Sequence, residues 1–153
     1  MTARHGPAAI TVERKVEWSD TDAAGHHHFT SVLRWAEQAE FVLHERLGIA
    51  DIVSGHCPRV HVSVDFTRRA YAREVVEVDF SVLEVGRTSV RYAFGVRSNG
   101  ETVAEGVVAA VFVRDGRSAR WPEDVRRLLL ESGRVEGERY ARSAVDGSTP
   151  GAP

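Results

Sequence analysis

The chain has 153 residues, 42% hydrophobic and 27% charged, the make-up of one domain that can bury a core without disulfides or metal. A formal net charge of −2 excludes a broadly basic nucleic-acid-binding surface. Cys57 is the only cysteine, which excludes an internal disulfide, and no apolar run reaches the roughly 18 residues of a membrane-spanning helix.

Residues 1–9 carry no apolar pattern, so they read as a flexible N-terminus without a signal peptide. From Ile10 the chain alternates, with Ile10, Val12, Val16 and Trp18 on one face of a half-buried strand. Ser19 to His28 breaks that period and is turn-forming. The period then changes. Val32, Trp35, Ala36, Ala39, Val42, Leu43 and Leu47 form one stripe, which predicts a helix over Phe29–Leu47, roughly 28 Å long, ended by Gly48. Thr30 and Ser31 are its candidate caps. Residues 49–59 read as a loop.

Four more strands follow. Val60, Val62, Val64 and Phe66 share one face of the first; Val76, Val78, Phe80 and Val82 mark the second. Val90, Tyr92, Phe94 and Val96 mark the third, and Ser98-Asn99-Gly100 is a hairpin signal leading into a last strand over Thr102–Val113. Residues 122–131 predict a short helix begun by Pro122. The domain is therefore expected over 10–131, with 132–153 a tail and 141–153 disordered. One amphipathic helix ahead of four sequential strands predicts an α+β fold, about five antiparallel strands wrapped around one long central helix.

The chemistry concentrates ahead of the long helix. Asp20-Thr21-Asp22-Ala23-Ala24-Gly25-His26-His27-His28 sets two carboxylates and three imidazoles beside amides that have no intrahelical acceptor. The helix dipole is positive there, so a developing oxyanion is stabilised at that point. A base or nucleophile together with carbonyl-directed donors makes a minimal hydrolase.

Asp20-Thr21-Asp22-Ala23-Ala24-Gly25, followed by a helix with Trp35, Glu37 and Ala39, resembles the 4-hydroxybenzoyl-CoA thioesterase family of hot-dog proteins, in its D-T-D-x-x-G branch. Val64-Asp65-Phe66 is similar to the family's V-E-Y strand opening. The resemblance implies hydrolysis of acyl-CoA thioesters without a cofactor, with Asp22 as catalytic carboxylate and the backbone N–H of Phe29 facing the carbonyl. It also implies a homodimer or homotetramer with sites at the subunit interface, and basic residues meeting the CoA phosphates. Gly25 shapes the loop at the substrate. Where branch members often carry small or aliphatic residues after the glycine, this chain has His26, His27 and His28. His26 matches a related D-x-x-G-H form and is a candidate for substrate positioning or proton transfer.

Other residues divide between chemistry and structure. Arg68, Arg69 and Arg73 are candidate phosphate contacts, since guanidinium binds phosphate in a bidentate way; otherwise they are a solvated turn. Glu37 is expected to hydrogen-bond behind the catalytic carboxylate rather than to act as base. Asp20 is expected to brace the loop, Ser31 to cap, and Cys57 and Trp35 to pack. Consecutive histidines make a poor chelator and no zinc spacing accompanies them, so no metal is expected. A single thiol fits a reducing cytoplasm. Two other readings share the fold: release of acyl or polyketide chains from an acyl carrier protein, and acyl-CoA binding without catalysis.

Overall fold

The computed structural model describes residues 6–141. Its principal elements are β1 (Ala9–Lys15), α1 (Ser31–Leu47), the short α2 (Ala50–Val53), β2 (Arg59–Phe66), β3 (Val75–Val85), β4 (Ser89–Ser98), β5 (Glu101–Val111), β6 (Val113–Arg114), β7 (Arg117–Ser118) and α3 (Glu123–Glu131). The five long strands form one antiparallel sheet in the order β1-β3-β4-β5-β2. Asn99 and Gly100 both have positive φ, 51° and 78°, in the two-residue connection of β4 to β5. That backbone twist matches the strands it joins.

The apolar stripe of α1 is its buried face. Val32, Trp35, Ala36, Ala39, Val42 and Leu43 are buried, and the helix packs on β3, β1 and β4. Facing it, Ile10, Val12, Val76, Val78, Phe80, Tyr92 and Phe94 complete the core. Glu40 and His44 are buried on the same helix, among those apolar neighbours. No helix among the described residues is long and apolar enough to cross a membrane.

Five local expectations need correction. β1 ends at Lys15, because the next residues turn: Asp20 Oδ2 accepts the Glu17 N–H and the Glu17 carbonyl accepts the Asp20 N–H. Trp18 is thereby thrown out of the alternation and is 82% exposed. The helix begins at Ser31 rather than Phe29, and the loop over 49–59 contains α2. Ala8 is buried and its N–H bonds the Leu129 carbonyl, so order starts ahead of Ile10. Finally, the chain continues in register past 131. Ala9 donates to the Gly133 carbonyl, Val135 to the Ala9 carbonyl and Glu13 to the Glu138 carbonyl, so residues 133–138 lie parallel along the outer edge of β1. Residues 142–153 of the expected tail, and residues 1–5, lie outside the described residues.

β2 is the strand that departs most from simple alternation. The register shifts between Arg59 and His61, which leaves Val60 as an unpaired bulge residue. Arg59 then stands opposite Ala110 and Val62 opposite Val108. Ala110 and Val108 are two apart, so they share one face, and Arg59 shares it with Val62. As the outermost strand, β2 leaves Val60, Val62 and Phe66 at 62%, 43% and 47% exposure.

Candidate active site

The loop ahead of α1 is a tight hairpin. Gly25 N–H bonds the Asp22 carbonyl, and Asp22 N–H bonds the His26 carbonyl. Gly25 has a φ of 88°, left-handed backbone that favours glycine and closes a three-residue loop. Asp22 Oδ1 accepts the Ala24 N–H at 2.8 Å, which fixes one carboxylate oxygen and leaves the other without a protein donor among the described residues. Thr21 bridges His27 and His26 bridges Tyr71, so the hairpin is stitched to the segment that follows β2.

Asp20 braces this arrangement. Its carbonyl accepts the His28 N–H at 2.7 Å and the Ser31 hydroxyl at 2.8 Å, tying the loop to the first turn of α1. Ser31 is thus an anchor. Thr30 makes no side-chain cap; His28 supplies one instead, its Nδ1 accepting the Thr30 N–H at 3.2 Å and contacting the Thr30 hydroxyl at 2.7 Å. The Phe29 N–H has no acceptor among the described residues.

The three imidazoles go to three different places. His26 Nδ1 lies 3.1 Å from the His27 carbonyl, which can only accept, so that nitrogen carries a proton and Nε2 is free. His27 is buried and its Nδ1 accepts the Ala70 N–H at 3.1 Å, which puts its own proton on Nε2. Burial, reinforced by His26, lowers the His27 pKa, so this ring is a neutral donor at physiological pH. Among the described residues no group of three or more His, Cys, Asp and Glu could hold a metal ion.

These groups line a cleft of about 630 Å³ whose walls are Asp22, His26, His27, Phe29, Phe66, Thr67, Arg68, Arg69 and Tyr71. The fold therefore brings together Asp22, His26, Phe29, Arg68 and Arg69. Arg68 pairs with Glu101 at 3.0 Å and with Glu74 at 3.6 Å, whereas Arg69 makes no ion pair among the described residues. Two expected residues lie elsewhere. Arg73 has a φ of 78° and gives its N–H to the Val16 carbonyl; it is a turn residue outside the cleft. Glu37 is two turns into α1, its side chain 72% exposed, and it meets Arg59 at 3.9 Å rather than the Asp22 loop.

Sequence reasoning missed His27, Phe66, Thr67 and Tyr71 as cleft walls. Phe66 and Thr67 sit where β2 ends, and the His27 and Phe66 rings lie with their centroids 6.2 Å apart and their planes 23° from parallel. Tyr71 is an isolated aromatic in a polar stretch, which was its one available signal.

A five-stranded antiparallel sheet around one helix, with a carboxylate and an uncommitted amide in one cleft at the helix start, defines a hot-dog protein of the thioester-hydrolase type. A family profile for the thioesterase-like superfamily matches residues 16–129, and the chain belongs to that superfamily. The 1,4-dihydroxy-2-naphthoyl-CoA hydrolase of Synechococcus sp. (strain RCC307) is 27% identical over 128 residues, 76% of this chain and 98% of that protein. A protein of the same name from Parasynechococcus marenigrum (strain WH8102) is 34% identical over 99 residues, 56% of this chain and 65% of its own. Among solved structures, a thioesterase from Thermus thermophilus complexed with coenzyme A and Zn superposes with a TM-score of 0.74 at 28% identity, over 78% of this chain and 90% of that one. A 1,4-dihydroxy-2-naphthoyl-CoA thioesterase from Synechocystis shares the fold, with a TM-score of 0.72 at 21% identity over 79% and 95%.

Proposed function

We propose that this chain hydrolyses acyl-CoA to the free acid and CoA, with Asp22 and the Phe29 amide as its working parts. The single observation that carries this is their shared cleft: a carboxylate with one oxygen pinned by Ala24 and one free, beside a backbone donor with no acceptor of its own. The Phe29 N–H, at the positive end of α1, polarises the thioester carbonyl. The free oxygen of Asp22 attacks that carbonyl, or removes a proton from the water that does. The C–S bond then breaks and the CoA thiolate leaves; where Asp22 itself attacked, water cleaves the acyl–aspartyl anhydride that remains, giving the acid and restoring the carboxylate. His26, a cleft wall whose Nδ1 is committed to the His27 carbonyl, positions the substrate or passes a proton through Nε2. His27, Phe29, Phe66 and Tyr71 give the cleft aromatic walls that suit a flat acyl group, in keeping with the naphthoyl-CoA hydrolases among its relatives. Arg69, with no ion pair among the described residues, and Arg68 meet the CoA phosphates at the rim.

A thiol-release assay tests the assignment, comparing benzoyl-CoA, 1,4-dihydroxy-2-naphthoyl-CoA and octanoyl-CoA with the same acyl groups on a carrier protein. Turnover is expected on CoA. Turnover on the carrier form alone would assign the chain to chain release, and binding without thiol release would make it a non-catalytic acyl-CoA protein.

We further propose that the working unit is a homodimer joined through β2. This outer strand exposes Val60, Val62 and Phe66, and Phe66 is a cleft wall. Sedimentation equilibrium is expected to give twice the chain mass; four times the mass would indicate a tetramer, and a monomer would reject the pairing. The lone, half-buried Cys57 suits a reducing compartment, and we place the protein in the cytoplasm on that ground.

A further inference from the structure

The cleft at Asp22 is the first of three hollows placed in order along α1 and β2, the second beginning one helical turn past Phe29, at Leu33. Along α1 and its lead-in the order is Phe29, Leu33, Ala36, Glu40; along β2, running the opposite way, it is Phe66, Val62, Arg59. Phe29 and Phe66 wall the cleft of about 630 Å³. Leu33, Ala36, Val62, Phe80 and Val108 then form the apolar side of a groove of about 190 Å³ that Arg34 and Glu37 also line. Beyond it Glu37, Glu40, His44 and Arg59 open onto a cavity of about 560 Å³ with Phe41, Val53 and Cys57 on its walls. Glu40 and Arg59 belong to the walls of both the groove and the cavity, so their ion pair stands between the two.

This barrier is built. Arg59 reaches it because the bulge at Val60 turns it to the face of Val62; without the extra residue its side chain would point away from the helix. Both guanidinium nitrogens Nη1 and Nη2 bond the Glu40 carboxylate, one of them at 3.2 Å. Glu40 is buried on the stripe that otherwise carries apolar side chains.

We infer that the Glu40–Arg59 pair is the end wall of the acyl groove and sets the longest acyl group the protein accepts. The inference rests on the thioesterase reading and adds a specificity-determining pair to it. From Phe29 to Glu40 is eleven residues, about 16 Å along a helix. An extended alkyl chain with C–C bonds of about 1.5 Å fills that length with roughly a dozen carbons. Aryl and medium acyl groups stop short of the wall; a longer chain meets the buried Glu40 carboxyl and the partly exposed Arg59 guanidinium, which it cannot satisfy.

The test compares kcat/KM for palmitoyl-CoA with that for benzoyl-CoA. In the double variant Glu40→Ala/Arg59→Ala both partners go, so no buried charge is left alone, and groove and cavity merge. The palmitoyl-to-benzoyl ratio is expected to rise at least about tenfold, the low end of what a few apolar contacts discriminate. An unchanged ratio in a folded double variant overturns the inference. If that variant does not fold, Leu33→Trp decides, since Leu33 lines the groove from α1, is only partly buried and lies outside the proposed β2 dimer seam. It should lower the octanoyl-to-acetyl ratio about tenfold, and equal effects on both substrates overturn the proposal. Absence of thiol release from every substrate by the wild-type protein is a separate result, which sinks the thioesterase reading itself.

Discussion

Asp22→Asn is expected to lower kcat by about 10²–10⁴-fold with little change in Tm, measured by thiol release and by thermal unfolding. The separation of the two readouts follows from the loop. Asn keeps an Oδ1 that accepts the Ala24 N–H, so the hairpin and its left-handed Gly25 survive the substitution. What is lost is the negative charge on the free oxygen, and with it the base or nucleophile. Asp22→Ala should lose activity to a similar degree and some loop order besides, because the Ala24 amide then has no acceptor. Turnover of Asp22→Asn within about threefold of wild type would defeat the assignment. Single turnover in ¹⁸O-water then identifies an attacking carboxylate if label appears on Asp22, as it does when water opens the anhydride at the aspartyl carbon; label in the product acid alone is common to both routes.

Arg59→Ala is expected to destabilise the fold by about 1 kcal/mol more at pH 8 than at pH 5, because Glu40 gives up its proton near pH 7 only with Arg59 beside it. For a chain of this size that is roughly 2–4 °C in Tm. The loss should depend on pH. Burial already raises the Glu40 pKa from 4.5 to about 7, outweighing the opposing pull of Arg59. A carboxyl raised in the folded state contributes stability that is full below its unfolded value and fades as pH rises through the folded one. The wild-type window is therefore about pH 4.5–7, and without Arg59 the folded pKa moves higher still. The deficit of Arg59→Ala should be small near pH 5, where Glu40 is protonated, and widest above pH 7. The neighbours do not reverse this sign. His44, lowered to about 4 by burial, and Cys57, raised to about 12, are both neutral across the comparison, and the Tyr92 phenol is raised further. Denaturant titrations of both proteins at pH 5 and pH 8 give the gap directly; equal gaps would reject a buried, pH-responsive Glu40.

Much of the fold was legible because its signals are periodic. The apolar stripe from Val32 to Leu43 and the alternations through Val76–Val82 and Val90–Val96 are faces of elements, and those faces are buried as read. The hairpin at Asn99-Gly100 was legible for another reason, a local backbone demand that two residues meet. In the site, Asp22 and Gly25 could be read together because a tight turn fixes them within four residues. Non-periodic features stayed hidden. The Val60 bulge lies in a run with valines at 60, 62 and 64, where one inserted residue leaves no mark on composition. Glu40 and His44 look like surface residues by type, and only the arrival of Arg59 from β2 and the Tyr92 hydroxyl, 2.9 Å from His44 Nε2, makes their burial tolerable. His27, Phe66 and Tyr71 meet through tertiary structure and carry no shared spacing. The run over 133–138 has no apolar stripe because it is held by main-chain hydrogen bonds.

That backbone-held run has a consequence for self-association. It occupies the outer rim of β1, so closely that a side chain at Gly137 would collide with the Thr11 carbonyl, and that rim of β1 is taken. At the other end of the five-stranded sheet, β2 has no strand beside it among the described residues. A molecule with a single adhesive rim can zip to one neighbour and is then used up, so growth by strand addition terminates instead of running on into fibres.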